Sequence, residues 1–554
     1  MTFDEPSPSE PQSPPPGVIK APSRPSRGQA QAAGALAVAV ALGVGEFISA
    51  IGTTKQSLVG SIGNIVIDDA GGTVTRTTIN LVGSFDKPVL LVGIVTVALL
   101  IGCWLGSMSR TRRWIGPAGF ALFALLGIWA AALDPLAGIA LAIVAALSAV
   151  IAGSLTLIGL FHVAVTGHPM IKRQPKSATR KPDIPTDPHA TRRAFFGYAG
   201  AAGAFAVTVG AIGRSIGTSA TNDATRAQIQ LPTPINRAAS ATDPASMQTP
   251  GIPSFPIDGL SPYLVPNTDF YRIDTALIVP RVDIRTWKLS ITGMVDEPFD
   301  LSYDDIMAMP QVEQAVTLSC VSNELGGGLV GNAIWQGIPL LDMLRRAGLQ
   351  PGATQIVGRS IDGFTVGFPA AALNNDRIAL IAVGMNGEPL PAKHGFPVRL
   401  VVAGLYGYVS ATKWLTEIRC TTMDAFDGYW IPRGWAKEAP VKLQSRIDVP
   451  RAGARLTPGP CPIAGVAWAP GPGRGITKVE VQIDGGPWIE AQLGDVISDN
   501  TWREWVVYWD ATRGDHAVTV RATDGTGETQ TEDVADVIPD GATGWHTRRI
   551  RVMG

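Results

Sequence analysis

Charge is scarce in this sequence. Asp, Glu, Lys and Arg make up 16% of the 554 residues, well below the usual quarter, while 46% are hydrophobic, so part of the chain is expected to sit in lipid. Net charge is also close to zero. A formal value of -1 provides no global positive field, which excludes nucleic acid as an expected partner. Cysteine is rare and dispersed: Cys103, Cys320, Cys420 and Cys461 form no CxxC pair, which argues against a zinc ribbon, a cysteine-ligated iron–sulfur cluster and a dense disulfide framework. A Cys420–Cys461 disulfide is compatible with an oxidising compartment, but spacing does not establish it.

What is abundant is long apolar sequence. Residues 1–29, rich in Pro, Ser and Gln, cannot bury enough surface to order themselves and read as a disordered cytoplasmic tail. A transmembrane region over 30–213 follows, with spans near 32–51, 88–105, 114–133, 136–161 and 195–212, each near the ~20 residues that cross a ~30 Å hydrocarbon layer. The last span carries Gly197, Ala199, Gly200 and Gly203, small residues suited to close helix packing.

Lys20, Arg24 and Arg27 precede the first span, Arg110, Arg112 and Arg113 follow the second, and Lys172, Arg173, Lys176, Arg180, Lys181, Arg192 and Arg193 follow the fourth. With five spans all three groups fall on one side, so a multi-pass protein of the cell membrane is expected, with its N-terminus cytoplasmic and its C-terminal half extracytoplasmic. Arg192-Arg193-Ala194-Phe195-Phe196 before a glycine-rich helix resembles a twin-arginine export signal, and a plain positive-inside anchor is the alternative. Glu46 is a carboxylate within a span. His162 stands at the edge of the fourth span with His168 just beyond, and no pair of histidines faces each other within the spans, so no haem held by two histidines is expected.

Residues 214–254, rich in Ala, Ser, Thr and Pro, read as a linker. From 255 to 440 short alternating strands mix with amphipathic helices such as Leu340–Ala347, an α+β pattern. After residue 441 strands near 476–483, 488–493, 502–509, 516–522 and 545–552 alternate with Gly, Pro and Asp turns, and a β-sandwich of immunoglobulin type is expected.

Thr317-Leu318-Ser319-Cys320-Val321-Ser322-Asn323-Glu324, with Gly331-Asn332-Ala333-Ile334-Trp335-Gln336-Gly337-Ile338-Pro339-Leu340, resembles the molybdenum-ligand loop of the sulfite oxidase family. His394-Gly395-Phe396-Pro397-Val398-Arg399-Leu400 is similar to its pterin-clamping segment, and Gly465-Val466-Ala467-Trp468 and Gly544-Trp545-His546 are similar to its dimerisation domain. The resemblance covers most of 255–554. It implies a membrane-anchored bacterial enzyme carrying a molybdenum-molybdopterin cofactor, with Cys320 as the thiolate ligand to the metal; a small buried hydrophobe is the alternative for a lone cysteine. His394, Arg399, Ser410 and Lys413 would hold the pterin and its phosphate, Thr268, Tyr271 and Ser360 would add contacts with Asn267, and Arg272 would face cofactor and substrate oxyanion. Tyr429 is the implied phenol near the metal, with aromatic packing as the alternative.

One departure from the family follows Cys320. Where sulfite oxidases carry paired arginines, this chain has Asn323-Glu324-Leu325-Gly326-Gly327-Gly328, which leaves Arg474 and Arg433 as substitute cations for an anionic substrate. The expected chemistry is oxygen-atom transfer to or from a small oxyanion or an S- or N-oxide, with electrons exchanged with a cytochrome or a quinone. Membrane lipid and a second copy bound through the sandwich are the other expected partners. The competing expectation is a binding or assembly module that keeps the fold and has lost the cofactor.

Overall fold

The computed structural model describes residues 24–51, 56–69, 86–170, 188–217, 225–236, 255–374, 376–495 and 498–553. Residues 1–23 of the expected tail, Lys55, Arg76, the basic residues from Lys172 to Lys181 and most of the 214–254 connection lie outside them.

The N-terminal half is helical: α1 (Arg27–Ile51), α2 (Leu58–Asp69), α3 (Asp86–Ser109), α4 (Ile115–Leu133), α5 (Ile139–Thr166) and α6 (Pro188–Gly217). Among the described residues five of these, all but α2, are long and apolar enough to cross a membrane, with mean hydropathy between 1.6 and 2.6. Helix α2 is absent from the sequence reading, which made 52–87 a connection. Its 12 residues rise only about 18 Å, too short to cross, and it packs by Leu58 against Gly127 of α4.

Helix α1 is the hub of the bundle, in contact with α3, α5 and α6. It crosses α3 where Gly34 meets Gly102 and Gly106, a crossing so close that a Cβ on Gly34 would collide with the Gly102 carbonyl. Against α6 it uses Gly43, which lies on the Ala206 backbone, and Phe47, which lies on Gly213. Of the small residues singled out in the last span, Gly203 lies near Leu36 while Gly197 and Gly200 face open space. At one end of the bundle Arg110 Nε donates to the Pro25 carbonyl at 3.0 Å, tying the α3–α4 turn to the start of α1. At the other, buried Asp134 accepts from the amides of Gln56 and Asn64 at 2.8 and 3.0 Å.

The middle region holds two sheets, with one core shared by both and a second cluster around Val316, Trp335 and Ala382. One runs Phe299–Ser302, Lys288–Gly293, Leu415–Thr421, Gln355–Ser360, Thr365–Pro369, antiparallel except between Lys288–Gly293 and Leu415–Thr421. The other runs Val312–Ser319, Val330–Pro339, Ala379–Met385, Glu388–Pro389, with Arg399–Val402 also on Ala379–Met385. Ala379–Met385 is buried at every position, so its apolar run is continuous rather than alternating. Helix Leu340–Ala347 buries Leu340, Met343, Leu344 and Ala347 between charged residues.

Residues 225–236 do not behave as part of a linker. Ile229 and Leu231 pack on the core, Ile235 N donates to the Gln311 carbonyl at 2.8 Å, and Gln336 Nε2 donates to the Pro232 carbonyl at 2.7 Å. Apolar side chains and backbone hydrogen bonds to residues 311 and 313 hold a segment that composition alone makes look unstructured.

The C-terminal region is β-rich. A four-stranded sheet (Gln444–Val449, Gly459–Trp468, Arg503–Ala511, Gln492–Leu493) and a five-stranded one (Arg455–Leu456, His546–Val552, Gly514–Asp524, Ile476–Ile483, Trp488–Glu490) share a core of Ile447, Ile463, Val479, Trp505, Val518 and Ile550. All four cysteines are free, so the Cys420–Cys461 disulfide is not formed: Cys420 belongs to the middle region and Cys461 to the C-terminal one.

Candidate cofactor and active site

Cys320 stands at the end of strand Val312–Ser319, where the chain leaves the sheet. Its N–H donates to the Leu329 carbonyl at 2.9 Å and its carbonyl accepts from Asn323 N at 3.1 Å, closing a loop over 320–329. Asn323 Oδ1 accepts from Leu329 N at 2.7 Å inside that loop. Burial pushes the Cys320 thiol up from its ordinary range, against the Ser322 hydrogen bonds and the charge of Lys413.

The glycines after Cys320 have a structural reason. Gly326 adopts φ +70°, a left-handed conformation, and a Cβ there would run into the ring of His546 from the C-terminal region. Arg446 Nη1, also from that region, donates to the Gly327 carbonyl at 2.8 Å. The loop is thus held against strands Gln444–Val449 and His546–Val552 of the C-terminal region.

Opposite the cysteine lies a cluster of buried cationic and aromatic side chains. The short turn Ala392–His394 presents His394, whose Nε2 donates to the Asn267 carbonyl at 3.0 Å; burial, then the charge of Arg399, lowers its pKa to about 3, so it is neutral. Arg399 is 5% exposed, with its guanidinium 4.7 Å from the Trp335 ring centre and Nη1 donating to the His394 carbonyl at 3.2 Å. Among the described residues no carboxylate pairs with it, and its Nε has no acceptor. Burial lowers its pKa to about 10.

Lys413 Nζ lies 2.6 Å from Asp274 Oδ2, and burial lowers its pKa to about 8 against that carboxylate. Gly395, at φ +111°, lets the chain turn closely against Arg399 and Lys413. Lys393 donates to the Thr268 carbonyl at 2.9 Å. Tyr271 stacks on Phe270 at 5.2 Å, and its phenol is held protonated by burial and by the neighbouring Cys320, with Arg399 opposing. Ser410 is fully buried and its hydroxyl donates to the Tyr406 carbonyl at 3.0 Å, holding the turn Gly407–Ser410. Ser360 is buried and bonds to Asp362, while Thr412 Oγ1 and Asn323 Nδ2 are buried without partners.

Cys320, Tyr271, His394, Arg399 and Lys413 thus lie within electrostatic reach of one another, with exposed Thr268 at the edge of the group. The arginines expected to meet substrate are otherwise engaged. Arg272 pairs with Asp274 at 2.8 Å, and Arg474 pairs with Asp524 at 3.0 Å while donating to the Val441 carbonyl at 2.8 Å. Tyr429 points its hydroxyl at Asp68 of α2, 2.7 Å away, and Arg433 lies 3.8 Å over its ring. A different phenol, that of buried Tyr406, lies close enough to Cys320 for the thiolate to raise its pKa, after burial.

Asp274, Asn323, Tyr406, Arg446 and His546 were missed in the sequence. For Asn323 and His546 the run Gly326-Gly327-Gly328 was the available signal, since three consecutive glycines imply a close approach. Asp274 had none beyond its place two residues from Arg272.

The site can be tested for a pterin cofactor carrying a phosphate. A buried cation without an anion, Arg399, buried polar atoms without partners, on Thr412 and Asn323, and the neighbouring Cys320 thiol fit such a group. Comparison with known proteins agrees. The family model for an oxidoreductase molybdopterin binding domain matches residues 276–430. Mitochondrial sulfite oxidase of Mus musculus is 31% identical over 273 residues, 42% of this chain and 49% of that protein. The uncharacterized oxidoreductase YuiH of Bacillus subtilis is 33% identical over 172 residues, 30% of this chain and 82% of that protein. The chain spans about half the length of the mammalian relatives it matches. The solved sulfane dehydrogenase SoxCD of Paracoccus pantotrophus aligns with 53% of this chain and 84% of its own at 21% identity and TM-score 0.46.

Proposed function

From the chain's membership of the sulfite oxidase family of molybdopterin-dependent oxidoreductases, we propose that it is a membrane-anchored enzyme transferring an oxygen atom to or from a small sulfur or nitrogen oxo compound. The observation that carries this reading is Arg399, a buried cation with no carboxylate partner among the described residues, beside His394 and Lys413 and sharing Tyr271 as a neighbour with Cys320. A buried unpaired charge is costly, and an arriving phosphate offsets that cost.

Cys320 would ligate the metal, and Arg399, Lys413 and the His394 turn would hold pterin and phosphate. When bound, the group supplies the two-electron change that moves an oxygen atom and exchanges electrons with an external cytochrome or quinone. Neutral His394 fixes the 267–270 segment through its bond to the Asn267 carbonyl, and Tyr271 keeps its proton and closes one wall.

The engagement of Arg272 and Arg474 in ion pairs favours a neutral S- or N-oxide over a dianion such as sulfite, whose charge would be poorly compensated. Turnover of sulfite outpacing that of sulfoxides, with a dye as electron carrier, would reverse this preference.

The N-terminus is cytoplasmic in this reading and the C-terminal half extracytoplasmic. Support comes from the basic residues before α1 and after α3, and from Pro25 and Arg110 lying at the end of the bundle away from the catalytic half. Arg192-Arg193 then serve as an export signal, and the C-terminal unit is an immunoglobulin-type sandwich suited to pairing two copies.

Elemental and pterin analysis of the purified full chain tests the whole. Near-stoichiometric molybdenum and pterin, with metal lost in Cys320→Ser, is expected. Protein devoid of both would favour a cofactor-free assembly module.

A further inference from the structure

The membrane half meets the catalytic half along the border of the cation cluster. Asp68 of α2 accepts from Tyr429, and its carbonyl accepts from Arg433 Nη2 at 2.9 Å. Pro135, between α4 and α5, lies against Gly363, and Gly63 of α2 lies against Leu277. The most polar contact is Lys87, in the first turn of α3. Its ammonium donates to Asp274 Oδ1 at 2.6 Å, to the Asp274 carbonyl at 2.9 Å and to the Ala276 carbonyl at 2.6 Å.

Asp274 therefore carries three cations. Lys87 takes Oδ1, Lys413 takes Oδ2 at 2.6 Å, and Arg272 Nε reaches Oδ2 at 2.8 Å, around a carboxylate whose side chain is only 4% exposed. One cation would suffice to tie the two halves together. Three positive charges against this one carboxylate leave a local surplus of two, which is the charge of a phosphate monoester near neutral pH; Arg399 adds a positive charge nearby, and Asp362, whose carboxyl burial pushes up towards its neutral form, is a second acid facing Asp274 and Lys413. Lys87 has its three protons directed at protein acceptors. It acts on a phosphate through Asp274, by cancelling the charge that Lys413 would otherwise face.

We propose that Lys87, reaching in from a membrane helix, is a positioning residue for the cofactor's phosphate: it neutralises Asp274 and leaves Lys413 electrostatically available, which makes the membrane half part of the cofactor site. This rests on the cofactor reading above. It gives the bundle a role beyond anchoring, because a soluble copy of the catalytic half alone would hold its cofactor less firmly.

The test uses the cofactor-loaded full chain in detergent and follows molybdenum and released pterin against time. Lys87→Met lowers the surplus from two to one, and loss at least about tenfold faster is expected, with Lys87→Arg restoring retention. The deciding protein is the double variant Lys87→Met with Asp274→Asn. It restores the surplus of two while the tie between the halves stays cut, so recovered retention is expected. Loss as fast as in Lys87→Met would mean that Lys87 is only a tie, and unchanged retention in Lys87→Met would overturn the proposal outright. Should Lys87→Met fail to accumulate, Asp274→Asn alone decides: it removes the ion pair, leaves the bonds of Lys87 to the Asp274 and Ala276 carbonyls, and raises the surplus to three, so faster loss refutes the proposal and equal or slower loss supports it. Wild-type protein without pterin would instead sink the cofactor reading.

Discussion

Replacing Gly326 by Ala tests whether the C-terminal sheet shapes the cysteine loop. Two costs add. A left-handed backbone costs an L-residue about 1–2 kcal/mol over glycine. The new methyl group would overlap the buried His546 ring, and forcing an extra carbon into a packed site costs about 1–3 kcal/mol. A total of about 2–5 kcal/mol lowers the midpoint of the catalytic region by roughly 4–20 °C, since each kcal/mol shifts a domain of this size by about 2–4 °C. Thermal unfolding of the detergent-solubilised chain, followed by tryptophan fluorescence, reads this directly.

A double-mutant cycle separates the two terms. His546→Ala alone is destabilising by about 1–3 kcal/mol, because Ile447 N loses its acceptor at 3.0 Å. With Gly326→Ala added, the collision is gone and only the backbone term remains. The two changes should therefore be less than additive by about 1–3 kcal/mol. Additivity within about 0.5 kcal/mol would refute the contact.

Two further outcomes are expected. Burial, then the charges of Arg548 and Arg446, lowers the His546 pKa to about 4. The unfolded chain, with a pKa near 6.5, takes up a proton first, so this stability is present above about pH 6.5 and is lost as pH falls to about 4, by at most about 3 kcal/mol. His546→Gln should flatten that acid slope, and an identical slope in the variant would show that other groups set it. Arg399→Met should lose the pterin yet leave the cofactor-free protein as stable or more stable, by up to about 4 kcal/mol, because it removes a buried charge without a carboxylate partner. A lower melting point in the cofactor-free variant would mean that Arg399 supports the fold on its own.

Much of this was legible in the linear chain because its cause is local. Each helix long and apolar enough to cross a membrane announces itself by about 20 apolar residues, whatever it packs on. The cysteine loop and the His394 turn are contiguous segments that resemble family motifs, so Cys320, His394, Arg399 and Lys413 could be named before their meeting was known. Helix α2 was hidden because 12 residues match no spanning length.

The ion pairs were hidden for a different reason. Arg474 and Tyr429 looked free for substrate because Asp524 and Asp68 lie 50 and 361 positions away, and Arg272 looked free because nothing in the sequence says that Asp274, two residues on, is buried among cations.

The sequence by itself determined the class of molecule, an apolar helical half joined to a cofactor-binding half with a cysteine at its centre, since hydropathy and short motifs are properties of neighbouring residues. Only the tertiary structure decided how the charges pair and what braces the loop. Lys87 finds Asp274 across 187 positions, and His546 fills the space beside Gly326 from another sheet. Electrostatic and steric partners are chosen by distance in space, and a chain that folds back on itself makes that distance independent of residue number.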